Sequence, residues 1–76
     1  MDYTTDIIYN RIKHACIDKR LSIIALCRAA GANRNAVADI GNGHIPSSIQ
    51  LARFADVLGV SVDYLLGRTN NPDVNR

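Results

Sequence analysis

The apolar residues of this chain recur with the period of an α-helix in five short segments. The first segment carries four of them, at positions i, i+4, i+7 and i+8: Ile8, Ile12, Ala15 and Cys16. Residues with this spacing share one face of a helix, which is predicted to begin after Thr4 or Thr5 and to end near Lys19. No segment of useful length alternates apolar and polar residues with period two, so we expect an all-α fold without a sheet.

Two further segments lie close together, and each is bounded by residues that start or stop helices. Ser22 is a suitable cap for an apolar segment that ends at Gly31. Asn33 is a suitable cap for the next segment, which ends at Gly41-Asn42-Gly43. The pattern predicts helices over about 23–30 and 34–40. Two helices joined by so tight a turn cross steeply, which is the geometry of a helix-turn-helix.

The last two segments have equally clear boundaries. Ser47, followed three residues later by Gln50, has the form of a capping box, and Gly59 ends the helix that it opens. Ser61 and Gly67 bound a shorter fifth helix. The residues expected at the centre of this five-helix domain are Leu21, Leu26, Val37, Ile40, Leu51, Phe54, Leu58 and Leu65.

Length and composition fit one small domain. The chain has 76 residues, 47% of them hydrophobic, which is enough for a single helical core. We expect residues 1–67 to form this domain and the polar residues 68–76 to form a flexible tail. The chain starts with acidic and polar residues, and its longest apolar run, Ile23 to Cys27, is far shorter than the roughly 20 residues of a membrane span. A cytoplasmic protein without membrane contact is therefore expected.

The net charge of +2 is mild, but the charges are unevenly distributed. From Lys19 to Ala38 there is no acidic residue, and there are four basic ones: Lys19, Arg20, Arg28 and Arg34. A local positive field of this kind attracts phosphates. The same residues fit an ordinary solubilising surface equally well.

The sequence offers little support for metal binding or catalysis. His14, Cys16, Cys27 and His44 do not have the paired spacing of zinc ligands, so no metal or cofactor is expected. The two cysteines fall on apolar helix faces and are expected to be small core residues rather than a disulfide. No nucleophile and base, phosphate-binding glycine loop or carboxylate pair has the spacing of a catalytic site, so we do not expect an enzyme.

Taken together, these segments resemble the Cro and lambda-repressor-like helix-turn-helix family over residues 8–67. The resemblance rests on an ordered set of motifs: Arg11-Ile12-Lys13, Leu21-Ser22, Gly31, Asn42-Gly43, Pro46-Ser47 and the run from Gly59 to Gly67. The last motif is typical of small regulators of phages and mobile elements. The resemblance implies a transcriptional regulator of the repressor type. Such a protein binds a two-fold site on double-stranded DNA as a homodimer, without a small-molecule effector.

The resemblance also implies which residues contact DNA. The base-contacting residues would be Arg34, Asn35, Ala38 and Asp39. The phosphate contacts would come from the backbone amides near Asn42 and Gly43, with further contacts from Ser22, His44, Arg20 and Arg53. The chemistry agrees in part, because arginine can bond guanine, asparagine can bond adenine and aspartate can accept a bond from cytosine. Exposed polar residues without a specific role are the alternative.

Two isoleucines depart from the family pattern. Most members begin the second helix with a glutamine that binds phosphate or base, whereas this chain has Ile23 and Ile24, of which at least one should be exposed. The pair supports a second hypothesis, an antirepressor-like or antitoxin-like interaction module with weakened DNA binding. In the family the third helix reads the major groove. An interface through the isoleucine pair on helix 2 would lie beside it and obstruct the groove. For a dimer, we therefore expect an interface through helix 5 and the tail (Val62, Leu66 and Val74).

Overall fold

Five α-helices make up the part of the chain that the computed structural model describes, residues 3–74. They are α1 (Thr5–Lys19), α2 (Ile23–Ala29), α3 (Ala36–Gly41), α4 (Ser48–Leu58) and α5 (Val62–Leu66). No strand occurs within residues 3–74, and the predicted all-α fold is confirmed. The ends of the predicted domain and tail, at residues 1, 2, 75 and 76, lie outside the described residues.

Hydroxyl side chains determine where most of the helices begin. Three serines each accept a hydrogen bond, 3.0 Å long, from the backbone amide three residues later: Ser22, Ser47 and Ser61. Thr4 does the same for α1 at 3.2 Å. Each bond satisfies an amide that has no partner within its helix, so these predicted helix starts are confirmed.

Helix α3 begins later than the pattern predicts. Its regular hydrogen bonding starts at Ala36 rather than at residue 34. The side-chain oxygen of Asn33 accepts a bond of 2.9 Å from the amide of Asn35, and the carbonyl of Asn33 accepts another of 2.9 Å from the amide of Ala36. Because these bonds close a tight turn over residues 33–36, Arg34 and Asn35 lie in the turn rather than in the first turn of α3.

The core receives side chains from all five helices. Its largest fully buried members are Phe54, Ile12, Leu26, Ile40, Leu58, Leu65, Val37 and Cys27. Seven of the eight residues predicted for the centre are buried, and the exception is Leu21. Leu21 is half-buried between α1 and α2, where it packs against the core from its edge. The predicted centre is therefore correct apart from this residue.

The two cysteines belong to this core, as predicted. Both are buried, and both thiols are free. Burial, and then the proximity of Cys27, raises the pKa of the Cys16 thiol, so Cys16 stays neutral near pH 7 and acts as a small apolar residue. Within the described residues, no three His, Cys or Asp side chains come together as a metal site. No helix in this part of the chain has the length and apolar character needed to cross a membrane.

Helix α1 packs against both α3 and α5. The ring of Tyr9 lies so close to Gly41, at the end of α3, that a Cβ at Gly41 would be 3.0 Å from it. Arg11 is half-buried, with its guanidinium 4.4 Å from the ring centroid of Tyr64 in α5. Helix α1 therefore connects the helix-turn-helix to the C-terminal part of the domain.

The C-terminal segment contacts the domain at two places. Arg11 donates hydrogen bonds to the carbonyl of Thr69 (3.3 Å) and to the side-chain oxygen of Asn70 (2.8 Å). Further along, the amide of Ser61 donates to the carbonyl of Pro72 at 3.0 Å. These bonds hold the path of the chain after α5 against α1 and against the start of α5.

Candidate nucleic-acid interface

Helix α2 and helix α3 are joined by a turn that the backbone bonds define closely. Helix α2 ends at Ala29. Two residues later Gly31 has a φ of 68°, and the amide of Ala32 donates to the carbonyl of Cys27 at 2.8 Å. This left-handed glycine is a common way to end a helix, because it lets the chain reverse direction without a steric clash. The turn over residues 33–36 follows at once, so α3 starts close to the end of α2.

Two of the four predicted base-contacting residues lie on the exposed side of α3, and the other two lie in the turn before it. Val37 is 1% exposed and Ile40 is fully buried, which fixes the inner face of the helix. The four predicted base-contacting residues are all exposed: Arg34, Asn35, Ala38 and Asp39. Their arrangement gives one surface a guanidinium, an amide, a methyl group and a carboxylate. These groups can together recognise the edges of all four bases.

The backbone amides at the end of α3 are the ones predicted to contact phosphate. The amide of Asn42 donates to the carbonyls of Ala38 and Asp39, both at 3.1 Å, and the amide of Gly43 donates to the carbonyl of Ile40 at 3.0 Å. Both amides are therefore already engaged within the chain, and their contact with phosphate stays a prediction. The side chains of Asn42 and His44 are exposed to solvent at this end of α3.

Gly43 contributes open space rather than a donor. Its φ is 102°, and no atom lies within 4 Å of the position that a Cβ would occupy. A glycine at such a position lets another chain approach the backbone closely. The space next to the Gly43 backbone is therefore open at the end of α3.

Ser22 and Arg20 lie together in a groove where α1 meets α2. The groove has a volume of about 300 Å³ and is also lined by Lys13. The oxygen of Ser22 accepts the capping bond, so its hydroxyl hydrogen is left to donate. Lys13 was not among the predicted contacts, and it lies in α1, seven residues before Arg20.

Arg53 occupies a different place from the other predicted phosphate contacts. It extends from α4 toward the end of α2, where its Nη1 atom lies 3.7 Å from the position of a Cβ at Gly31. A cation near the C-terminus of a helix interacts favourably with the carbonyls there. Arg53 is thus beside the turn between α2 and α3, on the side of α4.

The basic residues of the helix-turn-helix are not neutralised by carboxylates in the described structure. Within residues 3–74, the ion pair that forms joins Arg68 to Asp63 across 3.6 Å. Arg20, Arg28 and Arg34 are exposed and have no such partner in this part of the chain. Their charges are therefore available to a polyanion. Arg28 was not among the predicted contacts, although it lies within the acid-free stretch of the sequence.

The exposed isoleucines are only partly those expected. Ile23 is half-buried and packs against the core, whereas Ile24 is 58% exposed, so the expectation that at least one is exposed is confirmed. Ile45 and Ile49, 77% and 65% exposed, were not foreseen. Ile49 could have been found, because it falls outside the helical phase of the buried residues of α4.

Two short helices joined by a tight turn, with a buried inner face and an exposed polar edge on the second, define a helix-turn-helix protein. A family model described as the Cro/C1-type HTH DNA-binding domain matches residues 11–71. Because this match covers most of the chain, the protein belongs to the Cro/C1-type family, and double-stranded DNA is the partner that the family indicates. No curated protein sequence and no solved structure matches the chain.

Proposed function

We propose that this protein is a sequence-specific transcriptional regulator, of the repressor type, that reads the major groove with α3 and the turn before it. One observation carries the proposal. Val37 and Ile40 fix the inner face of α3 in the core, while Arg34, Asn35 and Asp39 remain exposed on α3 and on the turn before it. This combination holds base-reading groups on a rigid support, as major-groove recognition requires.

Each exposed group on α3 and on the turn before it has a base that suits it. Arg34 can donate two bonds to O6 and N7 of guanine, and Asn35 can form a pair of bonds with N6 and N7 of adenine. Asp39 can accept a bond from the amino group of cytosine, and the methyl group of Ala38 suits the methyl group of thymine. The turn bond from Asn35 to Asn33 restricts the backbone that carries the two main readers.

Phosphate contacts on either side of α3 would fix its register on the duplex. At one side, Ser22 and Arg20 share the groove at the start of α2. At the other, the side chains of Asn42 and His44 follow α3, and Gly43 leaves room for the backbone of the DNA. Arg53 would add a contact near the turn.

A homodimer on a two-fold site is part of this proposal. Helix α3 has only 6 residues and can contact few bases. Proteins of this geometry bind two half-sites about one helical turn apart, which doubles the sequence that they read. The surface that we assign to the dimer is α5 with the chain after it, where Val62 and Leu66 are half-buried and Val74 is 49% exposed.

Selection of duplexes from a random pool, followed by binding measurements on the preferred site, tests this function. We expect the protein to enrich a two-fold sequence. Arg34→Ala should weaken binding to that sequence by about 1–3 kcal/mol and relax the preference at one base position. Arg34→Lys, the matched control, keeps the positive charge and separates the loss of the paired guanidinium bonds from the loss of charge.

Failure to enrich any sequence would contradict the proposed function. An Arg34→Ala variant that binds the selected site as tightly as the parent would contradict the assignment of Arg34. A circular dichroism melt of the parent in the first case, and of Arg34→Ala in the second, confirms that the domain is folded.

An interaction module with weakened DNA binding is the second candidate, and the exposed isoleucines favour it. Ile24, Ile45 and Ile49 each expose more than half of their surface. Where such side chains form a contiguous patch, they often mark a contact with another protein. Retention on heparin or random duplex DNA separates the two candidates, because phosphate-driven binding weakens steeply with salt and an apolar contact does not.

A further inference from the structure

A cleft runs between α2 and the turn that leads into α3, and we call it the α2 cleft. It has a volume of about 480 Å³ and is lined by Ile24, Cys27, Arg28, Ala32 and Arg34. The buried Cys27 and the half-buried Ala32 form its floor. The exposed Ile24, Arg28 and Arg34 form its edges. The α2 cleft therefore combines an apolar surface with two cations.

The charges around the α2 cleft are of one sign. No carboxylate lines it, and within residues 3–74 neither Arg28 nor Arg34 forms an ion pair. A guanidinium fits a phosphate through two parallel hydrogen bonds, and it is more weakly hydrated than an ammonium. A ligand that carries phosphate next to an apolar group would match both parts of the cleft.

The backbone of DNA has this alternation, because each phosphate is followed by a deoxyribose. We propose that the α2 cleft binds a stretch of DNA backbone, with Arg28 as a phosphate contact and Ile24 against the neighbouring sugar. This inference rests on the proposed function, since it needs a duplex to be bound at α3. It gives a specific phosphate contact to Arg28, which is one of the four cations of the acid-free stretch.

The position of the cleft explains what the contact would do. Arg34 lines the cleft and is also the leading base reader of the turn. A phosphate held by Arg28 would therefore fix the duplex at a set distance from Arg34. In this arrangement Arg28 is a positioning residue, because it carries no sequence information itself.

Removal of the charge at Arg28 tests its role. The affinity of Arg28→Gln is measured over a range of salt concentrations, on the selected duplex and on an unrelated one. Arg28→Gln should weaken binding by a similar factor on both duplexes, and the slope of log K against log salt should fall in magnitude by about 1.

Two further variants distinguish the chemistry at the cleft. Arg28→Lys keeps the charge and should keep the parent slope, but it should bind more weakly than the parent because it cannot form the paired bonds. Ile24→Ala should weaken binding without a change in slope, because it removes an apolar contact and no charge.

The outcomes separate this inference from the proposed function. Parent-like affinity and slope for Arg28→Gln, with the Arg34→Ala defect still present, would overturn the inference and leave the function standing. A change of preference at one base position in Arg28→Gln would overturn it too, because Arg28 would then be a base reader. If the parent protein binds no duplex, this result contradicts the proposed function and, with it, the inference that rests on it. Salt-insensitive binding of an apolar protein partner that Ile24→Ala abolishes would instead assign the cleft to that partner.

Discussion

Where two parts of the chain approach each other closely, the fold leaves no room for a side chain larger than that of glycine. Gly67 ends α5 with a φ of 85°, and a Cβ at this position would lie 2.6 Å from Cγ2 of Ile7 in α1. Gly43 has a φ of 102° as well, but nothing lies within 4 Å of its Cβ position. The two glycines therefore separate the effect of crowding from the effect of backbone conformation.

We expect Gly67→Ala to lower the free energy of unfolding by about 2–4 kcal/mol, because it adds overpacking against Ile7 to the cost of a left-handed alanine. Gly43→Ala, the control, should lower it by only about 1–2 kcal/mol, since backbone strain acts there alone. Urea unfolding followed by circular dichroism measures both. Equal losses for the two variants would show that the contact with Ile7 relaxes without cost.

The kind of chemistry at a residue can be predicted from the sequence more easily than its surroundings. Arg34 and Asn35 were predicted as exposed polar groups, and they are exposed. The bonds of the Asn42 and Gly43 amides could not be predicted, because they depend on how the chain closes after α3. Nor could the position of Arg11, because Tyr64 lies far away in the sequence and only the packing of α5 on α1 brings it near.

At the scale of elements, the start of a helix could be predicted where the capping residue has one clear role. It could not be predicted where the same residue can also form a turn. A serine cap acts on an amide three residues away, so the starts of α2, α4 and α5 follow from the sequence alone. Asn33 is also a good cap, but asparagine can bond the backbone of a turn equally well. In this chain it does so, and α3 begins at Ala36.

Arg11 is the residue that ties the C-terminal segment to the helices. Its guanidinium stacks on Tyr64 and donates to Thr69 and Asn70. We expect Arg11→Gln to lower the free energy of unfolding by about 1–2 kcal/mol, because it removes a cation–π contact and two hydrogen bonds. The amide of Ser61, which donates to Pro72, should then exchange its hydrogen faster.

Lys13→Gln is the control for Arg11→Gln. The ammonium of Lys13 lies 5.0 Å from the ring centroid of Tyr9, so this variant also removes a cation from an aromatic ring of α1. It should leave the exchange of the Ser61 amide unchanged. If both variants accelerate that exchange equally, Arg11 does not hold the C-terminal segment in the way that the hydrogen bonds indicate.

At the scale of the whole molecule, size and charge favour two copies on one DNA site. The described residues span 28 × 24 × 21 Å, which is less than the roughly 34 Å of one helical turn of DNA. One copy can therefore cover a single half-site. With a net charge of only +2, one copy also has few cations to hold on a duplex. A second copy doubles both the phosphate contacts and the bases read.

Leu66→Lys tests whether the dimer forms through α5. Leu66 is half-buried on α5, and a lysine there would place like charges against each other in a two-fold interface. We expect this variant to bind a duplex with two half-sites as one copy, while the parent binds it as two. Analytical ultracentrifugation of the complexes gives the stoichiometry. Val74→Lys, at a residue 49% exposed, repeats the test if Leu66→Lys melts early.

Ile24→Gln is the comparison that decides between the two possible interfaces. Ile24 is the better choice on α2, because Ile23 packs against the core and its replacement would disturb the fold. With an interface through α5, Ile24→Gln still binds as two copies, even where its affinity for DNA falls. Loss of the second copy in Ile24→Gln but not in Leu66→Lys would move the interface to α2. That surface lies beside the base-reading turn, so this result would favour the interaction module over the regulator.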